Sequence, residues 1–237
     1  MALLELDHVT KRFGQVIIAE DLSVAVGPGD AVGIVGPNGA GKTSLFGLIS
    51  GDLAPGAGEV RFAGQPITKL DSAARCRLGI GRTYQVPKPF THISVFENVL
   101  VAATHGGKMS LSRAKGECDA VLRSVGLTHR AETPAGQLGL LDMKQLELAK
   151  ALAVRPRLLL LDEIAGGLTE AETETLLATI RQVHAGGVTV IWIEHVVQTL
   201  RRLATKLVVL HGGGVLASGP PESVIADPRV KDAYLGK

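Results

Sequence analysis

Eight consecutive residues constrain this chain more than any others. Gly36-Pro37-Asn38-Gly39-Ala40-Gly41-Lys42-Thr43 fits the pattern G-x-x-x-x-G-K-[ST]. An apolar, β-prone run (Ala31-Val32-Gly33-Ile34-Val35) leads in, and a helix-compatible run (Ser44-Leu45-Phe46-Gly47-Leu48-Ile49) leads out. Strand, glycine-rich turn and helix in that order predict a polyphosphate cradle. The glycines let backbone N–H groups turn inward, Lys42 adds a point charge for β- and γ-phosphates, and the Thr43 hydroxyl is suited to Mg²⁺. The helix that starts here aims the positive end of its dipole at the same anion. Nucleotide binding is the expectation.

Composition narrows the remaining choices. At 237 residues the chain can bury an ample core, as one large domain or a core with a subdomain. A net charge of +2 and an aromatic content of 3 % give no polyanion signature, so no nucleic-acid partner is expected. Cys76 and Cys118 lie far apart and match no metal or redox spacing, which reads as free thiols in a reducing compartment. The opening residues lack a basic segment followed by a long apolar run, so no signal peptide is expected there. The apolar runs at 158–161 and 188–193 are too short to span a bilayer. A mean hydropathy of +0.25 fits a sheet buried on both faces together with a surface for partners.

Strands are predicted over 3–9, 16–26, 30–36 and 59–64, the last closed by Pro66. From Ser94 to about Arg155 apolar residues recur at helical spacing (Val95, Val99, Ala102; Leu146, Ala149, Ala153), entered through Pro87-Lys88-Pro89. Strands return at 157–163, 188–194 and 206–211, separated by helices over 170–184 and 196–203, with a short helix in the tail from 222. This alternation predicts an α/β core with a mainly parallel sheet. The expected division is an α/β core with a β subdomain (1–90 and 156–237) carrying an inserted helical subdomain (91–155).

Four leucines end in Asp162-Glu163, where a nucleotide hydrolase needs acid at a strand end. One carboxylate would sit near Mg²⁺ and the second would orient water, reaching the site where the chain turns at Ala165-Gly166-Gly167. A buried strand with a polar end is the plainer alternative. Gln85 reads as a neutral Mg²⁺ or water ligand or, more plainly when taken by itself, as an ordinary surface amide. His195, after the strand ending in Glu194, reads as a γ-phosphate contact or a structural histidine. Phe13 reads as an adenine-stacking ring or as packing for the first turn.

The order of these features resembles the nucleotide-binding domain of ABC transporters over almost the whole chain, and more closely the importer ATPases of the branched-chain amino acid type. Thr10-Lys11-Arg12-Phe13-Gly14, the 36–43 loop, Gly79-Ile80-Gly81-Arg82-Thr83-Tyr84-Gln85 and Ala233-Tyr234-Leu235-Gly236 carry the likeness. The resemblance implies a P-loop NTPase core of the ABC type, with an antiparallel β subdomain and a helical subdomain. It implies ATP and Mg²⁺ as cofactors, with Gly36, Pro37, Asn38, Gly39, Ala40, Gly41, Lys42, Thr43 and Ser44 on the phosphates. Phe13 is then implied on adenine, Asp162, Thr43 and Gln85 at Mg²⁺, Glu163 as general base and His195 at the γ-phosphate. It further implies membrane permease subunits, a second ATPase subunit, a solute-binding protein reached indirectly, and a peripheral place on the cytoplasmic face of the inner membrane. A soluble ABC ATPase of assembly or regulation is the alternative. A GTPase is disfavoured because no Asn-Lys-x-Asp run occurs.

The chain departs from the family pattern at one segment above all. Where LSGGQ is usual it carries Leu138-Gly139-Leu140-Leu141-Asp142, losing a hydroxyl and gaining apolar bulk and a negative charge. Ile164 stands where proline is preferred, and Thr169 where Asp or Asn is. A heterodimer with one competent and one weak ATP site is therefore expected, although a homodimer with two working sites is compatible with the same residues.

Overall fold

The computed structural model describes residues 1–235. Strands β1 (Leu4–Phe13), β2 (Val16–Val26) and β3 (Ala31–Val35) precede helix α1 (Lys42–Ser50). Next come β4 (Ala57–Phe62), the two-residue β5 (Gln65–Pro66), α2 (Ser72–Arg77) and β6 (Ile80–Arg82). Helices α3 (Val95–Val101), α4 (Leu111–Ser124) and α5 (Leu140–Ala153) lead to β7 (Leu158–Asp162), α6 (Glu170–Ala185) and β8 (Thr189–Ile193). The described chain ends with α7 (Val197–Arg201), β9 (Lys206–His211), β10 (Gly214–Gly219), α8 (Pro221–Ala226) and α9 (Pro228–Leu235). Two units emerge, one of residues 1–75 with the segment from 189 onward, the other of residues 76–188.

In the first unit, β2, β1, β4 and β5 form an antiparallel sheet in that order. The β1–β2 hairpin closes Phe13 onto Val16 across Gly14, whose φ of +56° suits a residue without Cβ. Leu4, Leu6 and Val9 point to the core, and the register slips around His8, itself left-handed at φ +50°. Beside this lies a parallel set: β3 pairs with β8 (Ala31 opposite Val190, Ile34 opposite Ile193) and with β9 (Ile34 opposite Val208). β10 adds to β9 antiparallel. Every residue of β3 and β8 is buried, which is why these runs, Thr189 at the start of β8 apart, are continuously apolar rather than alternating.

Helix α1 buries Leu45, Phe46, Leu48 and Ile49. Its C-terminal carbonyls meet a buried cation. Arg75 Nη1 donates to Leu48 O at 2.6 Å and Ile49 O at 3.0 Å, Nε donates to Leu70 O and Nη2 to Thr68 O. Burial pushes the Arg75 pKa down, and the nearby Asp52 charge opposes this. A cation at the negative end of a helix is electrostatically well placed.

The second unit pairs β6 with β7 in parallel, Ile80 opposite Leu158 and Arg82 opposite Leu160. α3 starts with a reciprocal cap, Ser94 Oγ accepting from Glu97 N and Glu97 accepting from Ser94 N. α4 buries Ala114, Cys118 and Leu122, four residues apart along one face. α5 is buried from Lys144 to Ala149, and α6 buries Leu176, Leu177 and Ile180. No helix among the described residues is long and apolar enough to cross a membrane.

Several elements differ from expectation. β1 runs on to Phe13 because its second half, although polar, still pairs with β2. The three-residue β6 and the six-residue α2 carry too few residues for periodicity to announce them, and β10, with a glycine at each end and no fully buried residue, shows no apolar pattern. The expected helix 196–203 shortens to Val197–Arg201. The tail makes two helices rather than one, because Asp227 is extended ahead of Pro228. Gly236, the last residue of the C-terminal run noted above, lies outside the described residues.

Candidate functional site

The phosphate-loop residues belong to the first unit. The chain leaves buried β3 at Gly36, turns through Pro37, Asn38, Gly39 and Ala40, and enters α1 from Gly41. Gly36 has φ +153°, and a Cβ there would stand 2.3 Å from Leu210 O. Gly41 has φ +95°, and a Cβ there would stand 2.4 Å from Ile18 O. Both positions exclude a side chain on conformation and on space. Lys42, the first residue of α1, is 7 % exposed and folds back so that Nζ donates to Gly36 O at 2.8 Å and Pro37 O at 3.1 Å. Its ammonium is thereby held over the loop. Thr43 is exposed and Ser44 half-buried at the start of the same helix. Strand, loop and helix thus match the expected cradle.

Phe13 lies at the end of β1, 53 % exposed, with Lys11 Nζ 5.0 Å from its ring centre. An exposed aromatic face with a cation at one side suits stacking better than core packing. His195 is exposed just beyond β8, next to Glu194, which is buried and accepts from Trp192 Nε1 at 3.2 Å.

The acidic residues belong to the second unit. Asp162 closes β7 and is ion-paired with Arg82 of the neighbouring strand, Nη2 to Oδ2 at 3.0 Å. Burial pushes the Asp162 carboxyl up, Arg82 pulls it down through hydrogen bond and charge, and the Glu163 charge adds upward; the net direction is up. Asp162 Oδ1 is buried and has no hydrogen-bond partner. A buried carboxylate oxygen with an unspent lone pair fits a hard cation such as Mg²⁺, which takes one or two protein oxygens and leaves its other positions to phosphate and water. The described residues contain no group of three or more His, Cys, Asp and Glu side chains arranged to hold a metal.

Glu163 is 9 % exposed with φ +46°, a left-handed conformation unusual for a residue with a side chain. The turn expected at 165–167 therefore begins at Glu163 itself. Strand alternation ends there, and Gln85 Nε2 donates to Glu163 Oε2 at 2.6 Å. Gln85 and Glu163 are thus brought together.

The 138–142 segment starts α5. Gly139 is the N-cap residue in an extended conformation and supplies no side-chain cap, and Leu140 is 48 % exposed. Asp142 is not a bare charge: Arg130 Nε stands 3.2 Å from its Oδ2. Thr169 caps α6 as Asp or Asn would, its hydroxyl accepting from Glu172 N while Glu172 Oε2 accepts from Thr169 N. Ile164 is fully buried.

Residues 19–166 match the family model described as ABC transporter. The chain belongs to the ABC transporter ATP-binding family. Residues 215–237 match a second model, described as branched-chain amino acid ATP-binding cassette transporter. Among relatives, the chain is 34 % identical over 250 residues to the high-affinity branched-chain amino acid transport ATP-binding protein BraF of Pseudomonas aeruginosa, covering 99 % of this chain and 98 % of that protein. It is 31 % identical over 234 residues to the lipopolysaccharide export system ATP-binding protein LptB of Acidithiobacillus ferridurans, covering 99 % and 97 %. A solved nucleotide-free ATP-binding cassette from an ABC transporter matches with a TM-score of 0.91 at 28 % identity, covering 100 % of both chains. The expected ABC-type α/β fold is therefore the observed one.

Two residues of this ABC chain escaped the sequence reading. Arg82 read as part of a loop entry, yet it is the ion partner of Asp162. Lys144 was not singled out by the sequence, yet it is 3 % exposed and donates to Gln85 O at 2.7 Å. The available signal was a lone lysine on the buried stretch that also carries Leu146 and Leu148.

Proposed function

We propose that this chain is the ATP-hydrolysing subunit of an ABC importer, powering uptake of branched-chain amino acids or a related small polar solute through a separate permease. The match of residues 215–237 to the branched-chain amino acid model carries this reading, because the chain as a whole is similar both to a branched-chain amino acid transport protein, at 34 % identity, and to a lipopolysaccharide export protein, at 31 %.

The roles follow from the chemistry of each group. Backbone N–H groups of residues 36–44 and the Lys42 ammonium bind the phosphates, and Phe13 stacks on the adenine. Thr43, Asp162 and Gln85 would hold Mg²⁺, which when bound neutralises phosphate charge. Glu163 takes the proton of the attacking water and His195 contacts the γ-phosphate. Residues 91–155 serve as the helical subdomain that meets the permease, with 1–90 and 156–237 as the catalytic core. The subunit sits peripherally on the cytoplasmic face of the inner membrane, and a solute-binding protein feeds the permease from the other side.

The partner ATPase is a different chain in this reading. Gly139, Leu140 and Leu141 offer no hydroxyl to a neighbour's γ-phosphate, whereas this chain's Lys42 and Glu163 are intact. The stronger of the two sites is then the one built on Lys42 and Glu163.

The test is purification of the tagged chain from native membranes in mild detergent. Two polytopic permease subunits and a second, different ATP-binding subunit are expected. Two copies of this chain on the permease would overturn the heterodimer. Recovery from the soluble fraction without any membrane protein would overturn the transport role and favour an assembly-type ATPase.

A further inference from the structure

The segment between Gln85 and Phe90 exposes apolar side chains while committing its backbone to helices. Val86 is 70 % exposed and Phe90 58 %. Glu147 Oε1 accepts from Lys88 N at 2.8 Å, and Lys150 Nζ donates to Lys88 O at 2.8 Å. Asn98 of α3 accepts from Phe90 N and donates to Phe90 O. At the head of the segment, Lys144 Nζ donates to Gln85 O at 2.7 Å. Lys144, Glu147 and Lys150 lie three residues apart along α5, so one helix face grips the segment at successive backbone groups.

Burying a lysine in a helix that could carry leucine is costly unless its ammonium is well used. Lys144 Nζ also lies 3.4 Å from Glu163 O. One ammonium therefore donates to the backbone of the two residues whose side chains meet at 2.6 Å. The Glu163 backbone needs such support, since a left-handed conformation is unfavourable for a residue with a Cβ and persists only where its surroundings impose it.

We propose that Lys144 is a positioning residue for ATP hydrolysis: by bridging the Gln85 and Glu163 carbonyls it holds the Glu163 carboxylate and the Gln85 amide in one geometry and ties both to the helix that begins with the 138–142 segment. The inference rests on the reading of Glu163 as general base. Without the ammonium, the Glu163 peptide relaxes toward an ordinary conformation and its carboxylate moves away from the water it must align. A displacement of about 1 Å at a reacting group costs up to roughly 100-fold in rate. Nucleotide affinity rests mainly on the phosphate loop, and Gln85 is only one of the residues proposed at Mg²⁺, so turnover falls far more than affinity.

The experiment compares Lys144→Met, Lys144→Arg and Lys144→Gln in the full-length chain purified with its membrane partners, using MgATP as the probe. The expected result is a kcat for Lys144→Met lower by roughly 10- to 100-fold, with KM for ATP within about twofold of the parent. Lys144→Arg, whose guanidinium can donate to both carbonyls, recovers most of the rate. Lys144→Gln, which keeps a donor without the charge, is judged by the same kcat and KM criterion wherever Lys144→Met does not fold. An unchanged kcat in a folded variant, a parallel loss of kcat and affinity, or no recovery with arginine would each overturn the proposal. Glu163→Gln is run beside them. If it hydrolyses ATP like the parent, the general-base reading falls and this inference with it. If it is inactive while Lys144→Met is fully active, only the role of Lys144 falls.

Discussion

Gln85 and Glu163, 78 residues apart in sequence, are joined by a hydrogen bond of 2.6 Å from the Gln85 amide to the Glu163 carboxylate. The bond spends one acceptor site of the residue proposed as general base on a neutral donor. A hydrogen bond to a charged acceptor contributes about 1.5–3 kcal/mol where it is partly shielded from water. A double-mutant cycle of Gln85→Ala and Glu163→Ala, read by urea unfolding, should therefore show a coupling of about 1–2 kcal/mol. Additivity of the two changes would remove this bond from the solution structure.

Two glycines of the functional segments should respond in opposite ways. Gly36→Ala places a Cβ 2.3 Å from Leu210 O at φ +153° and should cost about 2–4 kcal/mol and most of the nucleotide affinity. Gly139 has φ −70° and nothing within 4 Å of an added Cβ. Gly139→Ser should be tolerated, and as an N-cap hydroxyl it should raise stability by a few tenths of a kcal/mol. Thermal unfolding of the two variants, with ATP titration of each, decides both statements.

His8 provides a pH-dependent contact away from the phosphate loop. Its Nδ1 stands 2.5 Å from Asp21 Oδ1, and the hydrogen bond and charge of Asp21, with a smaller contribution from Asp7, raise its pKa above the ordinary 6.5. A folded pKa above the unfolded one means that the contact stabilises fully below about pH 6.5 and loses that effect as pH rises through the folded value. An NMR titration should find His8 above 6.5, and Asp21→Asn should bring it back. A His8 that titrates at 6.5 in both proteins would rule the contact out.

Much of the fold was legible locally. β3, β7 and β8 are buried throughout because both faces are covered, and the sequence shows this as apolar runs broken only by Asp162 at the end of β7 and Thr189 at the start of β8. The helices from α3 to α5 follow the 3.6-residue recurrence of their apolar residues. Elements as short as β6, with three residues, contain too little pattern to be read, and their existence depends on a partner strand.

The eight-residue loop is the part that sequence determined by itself. Gly36 and Gly41 take positive φ values that favour a residue without Cβ, and Lys42 follows them into the helix, so motif and local geometry coincide. Tertiary structure alone decided how the acidic residues are dressed. Arg82 pairs with Asp162 across 80 residues, and Lys144 reaches the Gln85 carbonyl across 59. Residue periodicity reports which face of an element is covered. It carries no record of which distant group covers it, and for a buried charge that distant group decides whether it is a cost or a working part.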